Sequence, residues 1–134
     1  MQKQITVTVK FPSGKLLPNA SMAASRGSMM QIRRIKKESV NAAWIESLRV
    51  CNTKPRHEKF GLHLAFYAPN ARRRDPDGLV AAAKTSIDGM VHAGIIADDS
   101  MKNIELFSQS FEIDRDNPRM EMIITPLHTE GEQQ

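Results

Sequence analysis

The chain has 134 residues, 40% apolar and 25% charged, a balance that excludes collagen-like, coiled-coil and wholly disordered classes. One compact domain with a short tail fits this length, no apolar run approaches the ~20 residues of a membrane span, and a single cysteine, Cys51, excludes an internal disulfide or a cysteine-based zinc site. Behind the net charge of +4, residues 1–74 carry 15 Lys and Arg against three acids, and residues 75–134 carry four against 12.

That asymmetry suggests a basic surface for a polyanion beside a local carboxylate cluster; two ordinary solvated faces are the alternative. Residues 4–11 alternate apolar and β-branched with polar side chains and read as a half-buried strand. No continuous apolar stretch of a signal peptide precedes them, so a protein of the cytosol is expected. Pro12-Ser13-Gly14 ends the strand, and a polar loop runs to about residue 28. Residues 29–49 read as a helix with an imperfect apolar stripe of Ile32, Ile35, Val40, Ala43, Trp44, Ile45 and Leu48. Arg33, Arg34, Lys36 and Lys37 lie on its other side. A basic connection with Lys54, Pro55, Arg56 and Lys59 leads to a second alternating strand at 60–67.

A polar turn from Ala68 to Gly78 then precedes a helix over about 79–92, with Gly94 suited to its left-handed C-terminal cap. Residues 103–113 and 119–126 read as two strands around a turn at Arg115-Asp116-Asn117-Pro118. The tail, 127–134, is polar and expected to fray. The order β-α-β-α-β-β predicts a small two-layer α/β (α+β) domain over 1–126. Its mixed sheet would have about four strands, with two main helices packed on it.

The chemistry concentrates in Arg72-Arg73-Arg74-Asp75-Pro76-Asp77-Gly78, followed by Lys84, Asp88 and Asp98-Asp99. Asp75 and Asp77 flank a proline at a strand-to-helix turn, where an extended residue before Pro76 lets both carboxylates aim into one pocket. Gathering like charges is unfavourable unless a cation sits among them. Carboxylates, water and phosphate are the usual ligands of magnesium. At about 100° per residue from Asp77, Lys84 falls near −20° and Asp88 near 20°, while Leu79, Ala83, Ile87 and Met90 take the opposite face. The plainer alternatives are a helix N-cap for Asp75-Pro76-Asp77 and an exposed i, i+4 pair for Lys84 and Asp88.

Three stretches resemble the RusA-type crossover junction endodeoxyribonucleases, small homodimeric Holliday junction resolvases of bacteriophages and prophages: Arg72 to Leu79, Lys84 to Met90, and Ala93 to Asp99. The strand pair ending Met120-Glu121-Met122-Ile123-Ile124-Thr125 also fits, so that the likeness covers roughly 60–126. The N-terminal half matches only in outline, through a strand, Leu17-Pro18-Asn19 and a helix. The resemblance implies Asp75, Asp77 and Asp99 as metal ligands, with Asp98 as the alternative third, and Lys84 as the essential lysine. It further implies Mg2+, or Mn2+, as cofactor, a four-way DNA junction as substrate and a homodimer cutting two strands symmetrically. Arg72, Arg73, Arg74, Arg33, Arg34, Lys36 and Lys37 would grip the phosphate backbone. Gly78 stands where the family usually has Asn, and Lys84 lies seven rather than four residues after Asp77. Both spacings keep one helix face, with ~4.5 Å between them. A catalytically impaired relative that only binds branched DNA is the alternative reading.

The other reactive residues carry less. His57, His63, His92 and His128 lack metal-ligand spacing, and Cys51 lacks a catalytic partner. Trp44 and Phe66 are expected in the core. Met29-Met30, or Met120 and Met122, could be a dimer patch or core filler.

Overall fold

The computed structural model describes residues 4–17 and 26–127. Its strands are β1 (Ile5–Lys10), β2 (Phe60–Ala68), β3 (Ile104–Ile113) and β4 (Arg119–Pro126). Its helices are α1 (Arg26–Val50), α2 (Pro76–Ala82) and α3 (Lys84–His92), and a 3-10 turn spans Gly14–Leu16. One mixed sheet has the order β1-β4-β2-β3, with β4 antiparallel to both β1 and β2, and β3 parallel to β2. This is the small α+β domain that the alternation and helix spacing imply. Pro18, Asn19, His128 and the rest of the tail lie outside the described residues. None of the helices is long and apolar enough to cross a membrane, among the described residues.

Register turns the alternation into a core. Val7 stands opposite Met122, and Met122 opposite Leu64. Val7, Met120, Met122, Ile124, Phe60, Leu62, Leu64 and Phe66 therefore share one face, and all are buried. Each large side chain buried there contributes about 1.5–3 kcal/mol. Met120 and Met122 are thus core filler, while Met30 is exposed.

The last two strands do not form a hairpin. β2 lies between β3 and β4, so residues 114–118 carry the chain across the end of β2. Asp114 N–H donates to the Ala68 carbonyl at 2.8 Å. Arg119 then fastens the crossing: it ion-pairs with Asp114 at 2.8 Å and Glu121 at 2.9 Å, and its guanidinium lies 3.9 Å from the Tyr67 ring centre.

α1 packs on β1 and α3. Its buried positions are Ile32, Ala43 and Ser47, with Val40 half-buried between them, which is helical spacing. Trp44 is 42% exposed, not in the core as expected, and Ile45 faces solvent. At 100° and 200° from Ala43 they rotate off the buried stripe. Trp44 rests edge-on against His92, ring centres 6.1 Å apart. Where α1 crosses α3, a Cβ on Gly89 would stand 2.5 Å from the Val40 carbonyl oxygen and 2.7 Å from the Ala43 Cβ. Only glycine permits so close a crossing.

The helix read over 79–92 starts earlier and loosens once. Pro76 takes the first helical position, suited by its fixed φ and missing N–H. At Ala83 the N–H is shared between the Leu79 and Val80 carbonyls, both at 3.1 Å, before α3 continues. Leu79, Ala83, Ile87 and Met90 are buried, the face their spacing assigns. Gly94, at φ +81°, closes α3 with Ile95 N–H on the Met90 carbonyl and its own N–H on Val91, the pair of bonds that satisfies a helix C-terminus.

Candidate active site

Asp75 is the N-cap residue of α2, with extended backbone (φ −93°, ψ 137°), and its carbonyl accepts the first helical bond from Leu79 N–H at 3.1 Å. Its side chain makes no capping hydrogen bond. The carboxylate is 67% exposed and ion-pairs with Arg73 at 3.7 Å. Asp77, in the first turn of the helix, accepts Gly78 N–H at 3.0 Å on one oxygen. Both aspartates line a cleft of about 840 Å³ together with Arg72, Arg73, Arg74, Asn70, Phe11 and Leu17. The N-cap alternative is therefore half right: the backbone caps, and the Asp75 carboxylate is left for the cleft. That position also lies at the positive end of the helix, which favours anionic groups.

The three arginines do different work. Arg74 is turned onto its own loop, donating to the Asn70 carbonyl at 2.9 Å, the Asn70 side-chain oxygen at 2.8 Å and the Arg72 carbonyl at 3.0 Å. Its guanidinium sits 5.1 Å from the Phe11 ring centre, a cation–π contact. Asn70 closes the turn by accepting Arg72 N–H at 3.2 Å. Arg72 and Arg73 stay exposed at the cleft. Asn70 and Phe11 carried no sequence reading of function. An Asn two residues before an arginine run was the available signal, because Asn side chains close such turns.

Lys84 lies on the adjacent face of the same helical run. Its ammonium donates to Asp88 at 3.0 Å and to Asp99, the latter contact being very short. Asp99 hydrogen bonding holds the Lys84 ammonium above its ordinary range against the opposing effect of burial. The same bond holds the Asp99 carboxyl below its ordinary range. Lys84 is thus a fixed cation at neutral pH and no general base. Asp98 folds back to accept Asp99 N–H at 2.8 Å, so Asp99 is the member of the pair that faces Lys84. Lys84 and Asp99 line a smaller cleft of about 390 Å³, walled by Leu62, Val80, Ile87, Ile104 and Phe107.

The structure therefore brings the expected residues together in two groups: Asp75 and Asp77 with Arg72, Arg73 and Arg74, and Lys84 with Asp88 and Asp99. Val80 and Ala81 face the second cleft, Gly78, Leu79 and Ala82 the first, so the two flank α2. Among the described residues no three His, Cys, Asp or Glu side chains stand close enough to hold one ion. The donors do fit magnesium chemically: it is commonly held by one or two carboxylates plus waters and substrate phosphate, and Asp75 and Asp77 offer such oxygens. Arg33, Arg34, Lys36 and Lys37 are exposed on α1 and line neither cleft; Arg34 ion-pairs with Glu38 at 3.9 Å. His63 bonds Ser108 at 2.7 Å and Ser110 at 3.0 Å, apart from both clefts.

No protein-family model matches the chain, and no curated protein sequence matches it.

Proposed function

We propose that the chain is a RusA-like, metal-dependent endodeoxyribonuclease that resolves Holliday junctions by paired symmetric nicks. One observation carries the reading: the Asp75 carboxylate, at a helix N-cap, is not used for capping and shares an arginine-lined cleft with Asp77. A carboxylate kept among arginines suits a centre that handles phosphate with a divalent ion, whereas a purely structural aspartate there would cap its helix.

In this reading Arg72 and Arg73 hold the phosphate backbone through charge-assisted hydrogen bonds. Arg74 and Asn70 keep the turn that presents those two arginines and Asp75. Lys84, held as an ammonium by Asp99 and Asp88, supplies a fixed positive charge to oxygens that gain charge as the phosphodiester is cut. Asp99 positions Lys84. Asp75 and Asp77 would hold Mg2+, or Mn2+, together with waters and substrate phosphate, and bound there the ion would neutralise phosphate charge and acidify a water. Asp99, expected from the resemblance as a third ligand, lies across α2 against Lys84 and keeps only its positioning role. Paired nicks on opposite strands require two equivalent sites, hence a two-fold symmetric homodimer. Arg33, Arg34, Lys36 and Lys37 extend the basic surface along the DNA arms.

A second reading, a branched-DNA-binding relative that does not cut, is favoured by the placement of Lys84 in the neighbouring cleft. One experiment separates the two: purified protein is incubated with a synthetic four-way junction, linear duplex and single strand, with and without Mg2+. Metal-dependent symmetric nicks near the crossover support the nuclease. Junction-selective binding without nicks supports the second reading, and the absence of both nicking and selective binding overturns both readings.

A further inference from the structure

We propose that β3 is the interface between two copies of this chain, its open edge pairing antiparallel with the β3 of a second copy across a two-fold axis at Gln109. β3 is a ten-residue edge strand, bonded on one side to β2 and exposed along nearly its whole length. Leu106, Phe107, Phe111 and Ile113 are 69%, 46%, 46% and 44% exposed. Monomeric proteins protect such an edge with proline, lysine, a bulge or a covering element. The sequence Ile-Glu-Leu-Phe-Ser-Gln-Ser-Phe-Glu-Ile has neither proline nor lysine. Its one register irregularity, at Glu105, lies at the start of the strand and leaves 106–113 in regular pairing with β2. β1, the opposite edge, is shorter and has α1 packed beside it.

Backbone direction and side-chain pattern agree on one register. Asp114 N–H bonds Ala68 of β2, so by the period of two the backbone groups of residues 112, 110 and 108 also turn toward β2. Those of Phe107, Gln109, Phe111 and Ile113 face the open edge. Antiparallel pairing about Gln109 sets Gln109 against Gln109 of the partner subunit and Phe107 against Phe111 of the partner subunit. These are hydrogen-bonded positions, where both N–H···O bonds of a pair form. The edge is thus self-complementary: each phenylalanine meets a phenylalanine on the same sheet face, twice, and no glutamate opposes a glutamate. Aromatic cross-strand pairs are among the more stabilising.

At ~200 Å² per large side chain, the four exposed groups offer roughly 400 Å² of apolar surface per copy. The two copies together thus bring ~800 Å² from these groups alone, and the strand backbones extend this toward the ~1,200 Å² where stable interfaces begin. Phe107 also walls the Lys84–Asp99 cleft, so this interface seats the partner's Phe111 beside that cleft and brings the Lys84–Asp99 clefts of the two copies near the axis. The interface stands on the sheet edge alone; its use for paired cutting rests on the nuclease reading.

The test is the solution mass of the full chain without DNA, together with a cross-link on the axis. Light scattering is expected to give twice 15.0 kDa for the native chain, and half that for Phe107→Asp/Phe111→Asp with its circular dichroism retained. If the double variant unfolds, Gln109→Cys in a Cys51→Ser background decides the matter. Opposed Cα atoms ~5.5 Å apart lie within disulfide reach, so mild oxidation should give a covalent dimer, while Met101→Cys in the same background gives none. A monomeric native chain overturns the proposal, as does a dimer that survives the folded double variant or a Gln109→Cys protein that fails to cross-link. Junction cutting is measured separately, so its failure leaves this result standing.

Discussion

Gly89→Ala should destabilise the protein, although alanine is the better helix former by about 1 kcal/mol. The added methyl would stand 2.5 Å from the Val40 carbonyl oxygen, 2.7 Å from the Ala43 Cβ and 2.9 Å from the Trp44 nitrogen. Two of these are backbone atoms and none is the end of a flexible side chain, so α1 and α3 must part by several tenths of an ångström. That separation would loosen the Ser39–Ser86 contact, now 3.2 Å, and the packing of Ile87 and Met90. Overpacking of this kind costs about 1–3 kcal/mol, up to ~4 where backbone must shift, and the propensity gain offsets about 1. A net loss of ~2 kcal/mol is expected. For a domain of this length, with unfolding entropy near 2.1 cal/mol/K per residue, that is about 7 °C in Tm. Gly78→Ala is the internal control: its Cβ would meet only Leu17 Cδ2 at 3.6 Å, ordinary contact, so this change should be neutral or stabilising by up to ~1 kcal/mol. Thermal and urea unfolding of both variants provide the assay. If Gly89→Ala melts at or above the native temperature, the close crossing of the helices is wrong.

The arginine triplet should divide under salt titration of junction binding. Arg72→Gln and Arg73→Gln should each make the log–log salt slope shallower by about 0.9, from about −5 for roughly six neutralised phosphates. Arg74→Gln should leave the slope nearly unchanged, because its guanidinium is engaged by Asn70 and Phe11. The Lys84–Asp99 pair should contribute a pH-independent increment between the ordinary values of 3.8 and 10.5. Asp99 is held low, so its contribution is present above 3.8 and lost as pH falls through its lowered value; Lys84 is held high, so its contribution persists to 10.5 and is lost above. Denaturant unfolding of the native chain and Lys84→Met from pH 5 to pH 9 should therefore differ by a constant, less than ~1 kcal/mol at so exposed a pair. Arg119→Ala should lower stability by loosening the 114–118 crossing, read as a lower urea midpoint with unchanged far-ultraviolet circular dichroism.

Local periodicity foretold what depends on neighbours in sequence. The alternation of Phe60, Leu62, Leu64 and Phe66, the helical spacing of Leu79, Ala83, Ile87 and Met90, and the cap at Gly94 all reflect backbone geometry that a few residues decide. The place of β4 between β1 and β2 was not legible, because strand pairing depends on which distant edge is free once the β2–α2–α3–β3 crossover has formed. The turn at 115–118 reads the same whether it closes a hairpin or spans a strand. Trp44 was misplaced because α1 buries a narrow stripe, and one residue's rotation moved a large ring outside. At the candidate site, Asp75-Pro76-Asp77 was visible as a turn, but whether its carboxylate capped the helix or faced a cleft depended on side-chain placement. Which of Asp98 and Asp99 faced Lys84 was likewise a matter of a single backbone hydrogen bond.

The central claim is that the Asp75 carboxylate serves phosphate chemistry. Its most direct test is Asp75→Asn, with four-way junction cutting in Mg2+ and junction affinity measured on the same preparation. The account expects cutting to be abolished and affinity to hold or increase, since a negative charge leaves the arginine-lined cleft proposed to take phosphate. A variant that cuts at the native rate contradicts it.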